Sequence, residues 1–436
     1  MHRFVPVALS LFTCPLAAQQ KPPSTTEIDA LIPKFLALDD TTKQGHAEGN
    51  EMLSKLAAVP PLDASQLAAW NAKIHKAWSK GRKLEKSGDN WFWPEDKKSK
   101  AAARGRYIVG GETKKPVGLA INMHGGGAGS GDAGGAAGAY DAALAKFGLL
   151  MIAPEVLEKT ECGWTDSGTE EFVMGLVDGA LRTWKLDSDK VFFVGHSMGG
   201  YGSWTLGGHH ADRVAAVAPS AGAPTPIFSA PGGPIVDIQD GVIPSLRNVF
   251  VSVYQSLDDV QVPPAPNQGA VKRLLECQQK WGGYEHVYWE VNGRGHGEPP
   301  GGYVVQLEKV VTHTRQPVPP RLVWQPVLGW KRQFHWLYWE TPGASAVVVA
   351  DVDKKANTIA ISCDKPTEGL YVLLDARLVD MAREVTVTVN GVQTWKGKPV
   401  ASLATLLRTS VHPDAKLQFV AQAPAFAGPA PTTPSR

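Results

Sequence analysis

Cysteine is scarce in this chain: four in 436 residues, at positions 14, 162, 277 and 363, with no C-x-x-C and no spacing that suits a metal. Beyond Cys14, the three that remain can form at most one disulfide within the chain, its pairing is undetermined, and the set holds no metal-site signature. Charge of one sign is also lacking. Lys and Arg number 44 against 42 Asp and Glu, so the basic footprint that a nucleic-acid partner requires is absent. Beyond the first 18 residues no stretch approaches the roughly 18 consecutive apolar residues that a membrane span needs, and the mature chain is expected to be soluble. Gly (45) and Pro (33) mark a loop-rich chain that stays below the roughly 25–30% of low-complexity segments. What is present is a globular composition, 43% hydrophobic, with length for two or three domains and 14 tryptophans to bury or display.

Residues 1–18 read as an export signal: a basic start at His2-Arg3, an apolar run over 4–16, then Ala17-Ala18. Pro6 and Pro15 argue against a long core helix there. Cleavage near Ala18 would give a secreted or periplasmic protein; Thr13 before Cys14 makes a poor lipoprotein box. Residues 19–104 are Lys/Ala/Leu/Glu-rich, and helical spacing over 47–59 and 64–80 predicts a small helical region. Over 105–315, apolar runs at 117–123, 149–154, 191–194, 214–218, 249–253 and 287–291 alternate with helical stretches such as 170–184 and 269–280. That alternation predicts a mostly parallel sheet covered by helices on both faces, an α/β domain. Gln316-Pro-Val-Pro-Pro320 reads as a stiff linker. Residues 321–422 then show period two, as in Val385-Thr-Val-Thr-Val389 before the turn Asn390-Gly391, and predict a β-sandwich-like accessory domain. The Ala/Pro/Thr-rich end, 423–436, is expected to be disordered.

Gly195-His-Ser197-Met-Gly199 fits G-x-S-x-G. About 0.2 such matches arise by chance in a chain of this size, so the weight lies in the flanks. An apolar strand, Val191-Phe-Phe-Val194, precedes it, and helix-forming residues follow. Glycines on both sides let a strand-to-helix turn pass closely and lift the serine hydroxyl above the sheet. A serine is a poor nucleophile without a base and an orienting carboxylate. Asp258 and Asp259 both follow the strand 249–253, whereas Asp237 and Asp240 fall in a Pro/Gly-rich insertion and read as solvated. The base candidate is His296, on the loop Asn292-Gly-Arg-Gly-His296-Gly after the strand 287–291. His286 precedes that strand, at its opposite end, and His313 is expected in the helix that follows; both read as structural. His196 reads as pointing away from Ser197. Donors for an oxyanion are expected from Gly125 and Gly126 of His124-Gly-Gly-Gly127, which follows a strand, and from the N–H of Met198. Trp164, in the loop 161–166, is a candidate pocket-lining residue.

These motifs resemble those of α/β-hydrolases, most closely secreted esterases of the polyhydroxybutyrate-depolymerase and feruloyl-esterase-like group, over about half the chain. The resemblance implies Ser197 as nucleophile, Asp259 (from its D-x-x-V-P setting) as acid, His296 as base, no cofactor and no metal. It also implies a small-molecule or polymer-linked ester substrate, cleaved through an acyl-enzyme on Ser197. The glycine-rich stretch 128–138 and the insertion 223–245 depart from the pattern, so no particular ester follows. Oligomeric state is not legible.

Three rival readings exist. A serine peptidase of prolyl-oligopeptidase type would use the same residues. An inactive hydrolase fold gripping polysaccharide would use the aromatics of 334–339, read as one strand with aromatics on both faces, although core packing explains them more simply. Gly129-Ser-Gly131-Asp-Ala-Gly134, with Glu155 about 21 residues on, fits a dinucleotide fingerprint, but its glycines lie too far past the strand tip for the tight turn that fingerprint needs.

Overall fold

The computed structural model describes residues 21–426. The export segment 1–18, Cys14 and residues 427–436 lie outside them. Three helices come first, α1 (Thr25–Phe35), α2 (Lys43–Leu56) and α3 (Ala64–Trp78). Ser24 and Asp63 start α1 and α3 with capping boxes that satisfy orphan backbone N–H groups. The 19–104 region is not wholly helical, contrary to the sequence reading. It also supplies β1 (Gly88–Trp93), which pairs with β2 (Arg104–Gly111) at the edge of the main sheet. As an edge strand β1 has no fully buried residue, although its Phe92 and Trp93 pack against the main core.

The central elements are β3 (Gly118–Met123), α4 (Ala133–Lys146), β4 (Leu149–Pro154), α5 (Thr169–Trp184), β5 (Val191–His196), α6 (Met198–His209), β6 (Ala216–Ser220), the hairpin β7 (Pro226–Phe228) and β8 (Ile235–Ile238), β9 (Phe250–Ser256), α7 (Ala265–Trp281), β10 (His286–Val291) and α8 (Tyr303–Val310). Eight of the strands form one sheet in the order β1-β2-β4-β3-β5-β6-β9-β10. β2 runs antiparallel to both neighbours, and every other pairing is parallel. Leu119, Ile121, Phe193 and Val251 face Phe172, Leu176 and Trp204 on one side. Ala120, Phe192 and Val194 face Tyr140, Leu144 and Leu307 on the other. Burial on both faces is why these strands read as continuous apolar runs rather than alternating ones.

The C-terminal part holds β11 (Arg321–Trp324), β12 (Gln333–Phe334), β13 (Leu337–Trp339), β14 (Val348–Asp353), β15 (Thr358–Cys363), β16 (Leu370–Leu374), β17 (Val385–Val389), β18 (Val392–Gly397), α9 (Leu403–Arg408) and β19 (Ala421–Pro424). Two sheets, β11-β14-β15-β17-β18 and β12-β13-β16-β19, make the β-rich portion. Asn390 and Gly391, both at positive φ (49° and 80°), form its tightest hairpin turn. β19 carries the sheet to Pro424, past the residue at which the disordered tail was expected, because Ala421 to Pro424 pair with β16. Residues 334–339 are likewise not one strand. They turn back at His335, and Phe334, Trp336 and Trp339 are fully buried, so they offer no platform to a polysaccharide.

The linker is docked as well. The carbonyls of Pro317 and Pro319 accept from His335 Nδ1 (3.0 Å) and Trp336 Nε1 (2.8 Å), and one apolar core runs from Leu246 and Val249 into Leu322 and Trp324. The N-terminal helices pack on α9 through Ile32, Leu56, Ile74, Leu403, Leu406 and Leu407. Among the described residues all three cysteines are free, Cys162 exposed and Cys277 and Cys363 buried.

Candidate functional site

Ser197 stands between β5 and α6 with φ 59° and ψ −124°, a conformation that a non-glycine residue holds only when its surroundings impose it. The neighbouring glycines explain how the turn fits. A Cβ on Gly199 would lie 2.0 Å from the Met123 carbonyl oxygen, and one on Gly195 would lie 2.6 Å from that of Gly199. Ser197 donates its own N–H to the Ser220 carbonyl (2.9 Å), which fastens the turn to β6.

His296, on the loop after β10, places Nε2 2.8 Å from Ser197 Oγ and Nδ1 2.7 Å from Asp259 Oδ2. A carboxylate only accepts, so Nδ1 carries the proton and Nε2 is left to accept from the serine hydroxyl. Asp259 is buried, and its other oxygen accepts the N–H groups of Gln261 and Val262, both at 2.9 Å. Asp258 does something different. Its Oδ1 accepts from Ser256 Oγ (2.5 Å) and from three consecutive N–H groups, Gly293 (3.0 Å), Arg294 (3.2 Å) and Gly295 (3.1 Å). The hydrogen bond from Ser256, joined by that of Gly295, holds its carboxyl below the ordinary value. Asp258 therefore ties down the loop that carries His296, a role that the sequence did not reveal.

His196, beside Ser197 in the chain, makes its contacts with His296. Its Nε2 hydrogen bonds the His296 carbonyl (3.1 Å) and its ring lies 4.8 Å from that of His296. Burial, with the neighbouring His296, lowers its pKa to about 4. His286 begins β10 at the end away from His296, whereas His313 lies past the end of α8 rather than within it and stacks on Phe250.

The loop after β3 is held from below. The Val156 N–H donates to His124 Nε2 (3.2 Å), so the proton sits on Nδ1, which donates to the Gly125 carbonyl (2.7 Å). Burial keeps His124 below the ordinary histidine value. Gly125 abuts the serine turn: a Cβ there would meet Ser197 Cβ at 3.1 Å. Its carbonyl is drawn to the imidazole, and in a trans peptide the following N–H, that of Gly126, points the opposite way. Met198 is the first residue of α6, so its N–H has no acceptor within the helix. Trp164 departs from the expectation of a pocket-lining side chain. It is fully buried, donates Nε1 to the His124 carbonyl (3.2 Å) and packs under Gly202, so it props the loop instead of facing a substrate.

Gly134 lies within α4, and Glu155 is engaged by Arg106 (2.9 Å) and the Ala133 N–H (3.2 Å). Neither is free to act as a dinucleotide fingerprint would require. Asp132 caps α4 through the Gly135 N–H (2.9 Å).

Strand order, the lone antiparallel β2 and the serine turn after β5 together define the central portion. It has the α/β-hydrolase fold. No family model matches the chain, and no curated protein matches it. Among solved structures it is similar to a thermostable esterase at 18% identity, covering 52% of this chain and 63% of that one, with a TM-score of 0.37. It is also similar to a phospholipase/carboxylesterase from Dyadobacter fermentans (14% identity, 46% of this chain and 92% of that one, TM-score 0.34). A third likeness is to a CE1 ferulic acid esterase from the anaerobic fungus Anaeromyces mucronatus (16% identity, 54% and 92%, TM-score 0.36). The chain spans less than two thirds of the thermostable esterase. The fold is defined by this molecule's own strand order and serine turn.

Proposed function

We propose that this protein is a serine hydrolase that cleaves carboxylic esters through an acyl-enzyme on Ser197. The observation that carries the reading is the unbroken hydrogen-bonded run from Ser197 Oγ through His296 to Asp259, at 2.8 and 2.7 Å, on loops beyond the carboxyl ends of β5, β9 and β10.

In this reading His296 Nε2 takes the Ser197 proton as Oγ bonds to the ester carbonyl carbon. The carbonyl oxygen becomes an oxyanion that accepts from the N–H groups of Met198 and of the Gly125-Gly126 segment. As the tetrahedral adduct collapses, the bond to the alcohol oxygen breaks and the imidazolium proton goes to the departing alcohol. Water, deprotonated by His296, then attacks the acyl carbon; the proton returns to Ser197 Oγ and a carboxylic acid is released. Asp259 keeps the imidazole in the tautomer that both halves need. Each step uses only groups of this chain and water.

Ester is chosen over peptide substrate on the resemblance of the motifs. Export, and with it a secreted or periplasmic site of action, is proposed from residues 1–18. The test is hydrolysis of a nitrophenyl ester by the wild type and by Ser197→Ala. The reading requires loss of turnover in the variant with its fold intact, and a fully active Ser197→Ala protein overturns it.

A further inference from the structure

His196 ends β5 and stands directly before Ser197 in the chain. Its Nε2 lies 3.1 Å from the His296 carbonyl oxygen, and a carbonyl only accepts, so Nε2 carries the ring proton. Two consecutive residues therefore grip a third. The side chain of His196 holds the backbone of His296, and the side chain of Ser197 meets the imidazole of that same residue at 2.8 Å.

The rest of the loop after β10 is anchored elsewhere. Ahead of His296, Asp258 Oδ1 accepts the N–H groups of Gly293, Arg294 and Gly295. Behind it, Tyr254 donates to the Glu298 carbonyl at 3.2 Å, and Arg294 Nε donates to the same oxygen at 3.1 Å. Tyr254 lies in β9 and Asp258 just past it, so neither ties the loop to the strand that carries the serine. Among the described residues no other hydrogen bond reaches the backbone of His296. His196 is thus the brace between the base and the serine turn.

The ring suits a brace better than a packing residue. It lies 4.8 Å from the His296 ring and edge-on to Tyr303 at 6.0 Å, and Tyr303 stacks on Tyr140 at 3.9 Å, so the imidazole is confined on both sides. Its Nδ1 is buried without a hydrogen-bond partner, a cost that an apolar ring of similar size would not carry. Desolvation keeps the ring uncharged near neutrality, so it adds no second cation beside the His296 imidazolium formed during turnover.

We propose that His196 is a positioning residue: by donating to the His296 carbonyl it fixes the separation of His296 Nε2 from Ser197 Oγ. The inference rests on the hydrolytic reading and adds to it a group that acts through His296 and not on the substrate.

The test compares two variants that lose the donor, His196→Phe and the differently shaped His196→Leu, with His196→Gln, whose amide N–H can reach the same carbonyl. In steady-state hydrolysis of a nitrophenyl ester both apolar variants should lose about 10-fold to 100-fold in kcat with KM little altered, the cost of a misplacement of about 1 Å or less. His196→Gln should recover most of kcat. A second readout needs no turnover. The low-field proton resonance of His296 Nδ1–H on Asp259 should persist in wild type and in His196→Gln, and broaden in the apolar variants as the loop opens that proton to exchange with water. A packing role predicts the opposite order, with His196→Phe near wild type and His196→Leu and His196→Gln impaired. That order, wild-type kcat in either apolar variant, or an unchanged low-field resonance in both would each overturn the inference while the hydrolytic reading stands. An inactive wild type overturns the reading and the inference together.

Discussion

Replacing His124 with Phe separates two roles that its hydrogen bonds combine. The imidazole is 2% exposed, accepts from the Val156 N–H at 3.2 Å and donates to the Gly125 carbonyl at 2.7 Å. Phenylalanine fills similar volume but offers neither contact, so a buried N–H and a buried carbonyl lose their partners. An unpaired buried group costs about 1–3 kcal/mol, and stability to urea should fall by roughly that amount for each. The second effect is on the reaction. Without the pull of Nδ1–H on the Gly125 carbonyl, the peptide between Gly125 and Gly126 is free to rotate, and the Gly126 N–H loses its fixed direction. Losing one oxyanion donor lowers kcat by about 100-fold to 1000-fold, with KM little altered. Steady-state hydrolysis of a nitrophenyl ester, measured where the variant is fully folded, reads this directly. A variant that loses stability but keeps kcat would refute the reasoning, because His124 would then be a packing residue only.

Further outcomes follow from other contacts. Asp258→Ala removes the acceptor shared by the Gly293, Arg294 and Gly295 N–H groups; kcat should fall about 10-fold to 100-fold as the His296 loop loosens, with Asp258→Asn milder, and parity of both variants with wild type in steady-state assays would remove the positioning role. His335 is buried and His196 half-buried, and desolvation is the main cause that lowers both pKa values to about 4. The unfolded chain takes up protons at these two sites below about pH 6.5 while the folded chain does not, so stability is fully present near neutrality and is lost as pH falls from about 6.5 toward 4. Urea titrations across that window should show the decline, on the order of 3 kcal/mol per residue at its lower end, and His335→Asn should flatten it. Thiol labelling of the folded protein should reach Cys162 and spare Cys277 and Cys363 until denaturant is added.

The elements that carry the proposed chemistry were legible because each is written locally. The serine turn announces itself through glycines that the backbone crossing needs, and Asp259 and His296 each follow an apolar run by a few residues. Trp164 reads as pocket-lining in the sequence but is buried, because a loop's composition does not say which side faces the core. Asp258 was seen only as a rival to Asp259, since its contacts lie about 35 residues away in sequence, on backbone N–H groups that no side-chain pattern records. The same limit hid the packing of the N-terminal helices on α9: Trp78 donates to the Ser410 carbonyl across 332 residues. The insertion 223–245 gave no strand signal because β7 and β8 leave Ile227, Phe228 and Val236 exposed, where apolar alternation reports nothing about a core. Residues 334–339 looked like one strand because consecutive aromatics conceal a reversal, which His335 makes at φ 50°.

The central claim is that Ser197 is an activated nucleophile, and reaction with a fluorophosphonate followed by peptide mapping tests it most directly. The account predicts one covalent adduct, on Ser197, that disappears in His296→Ala as well as in Ser197→Ala. Adduct on another residue, or none on folded wild-type protein, would contradict it.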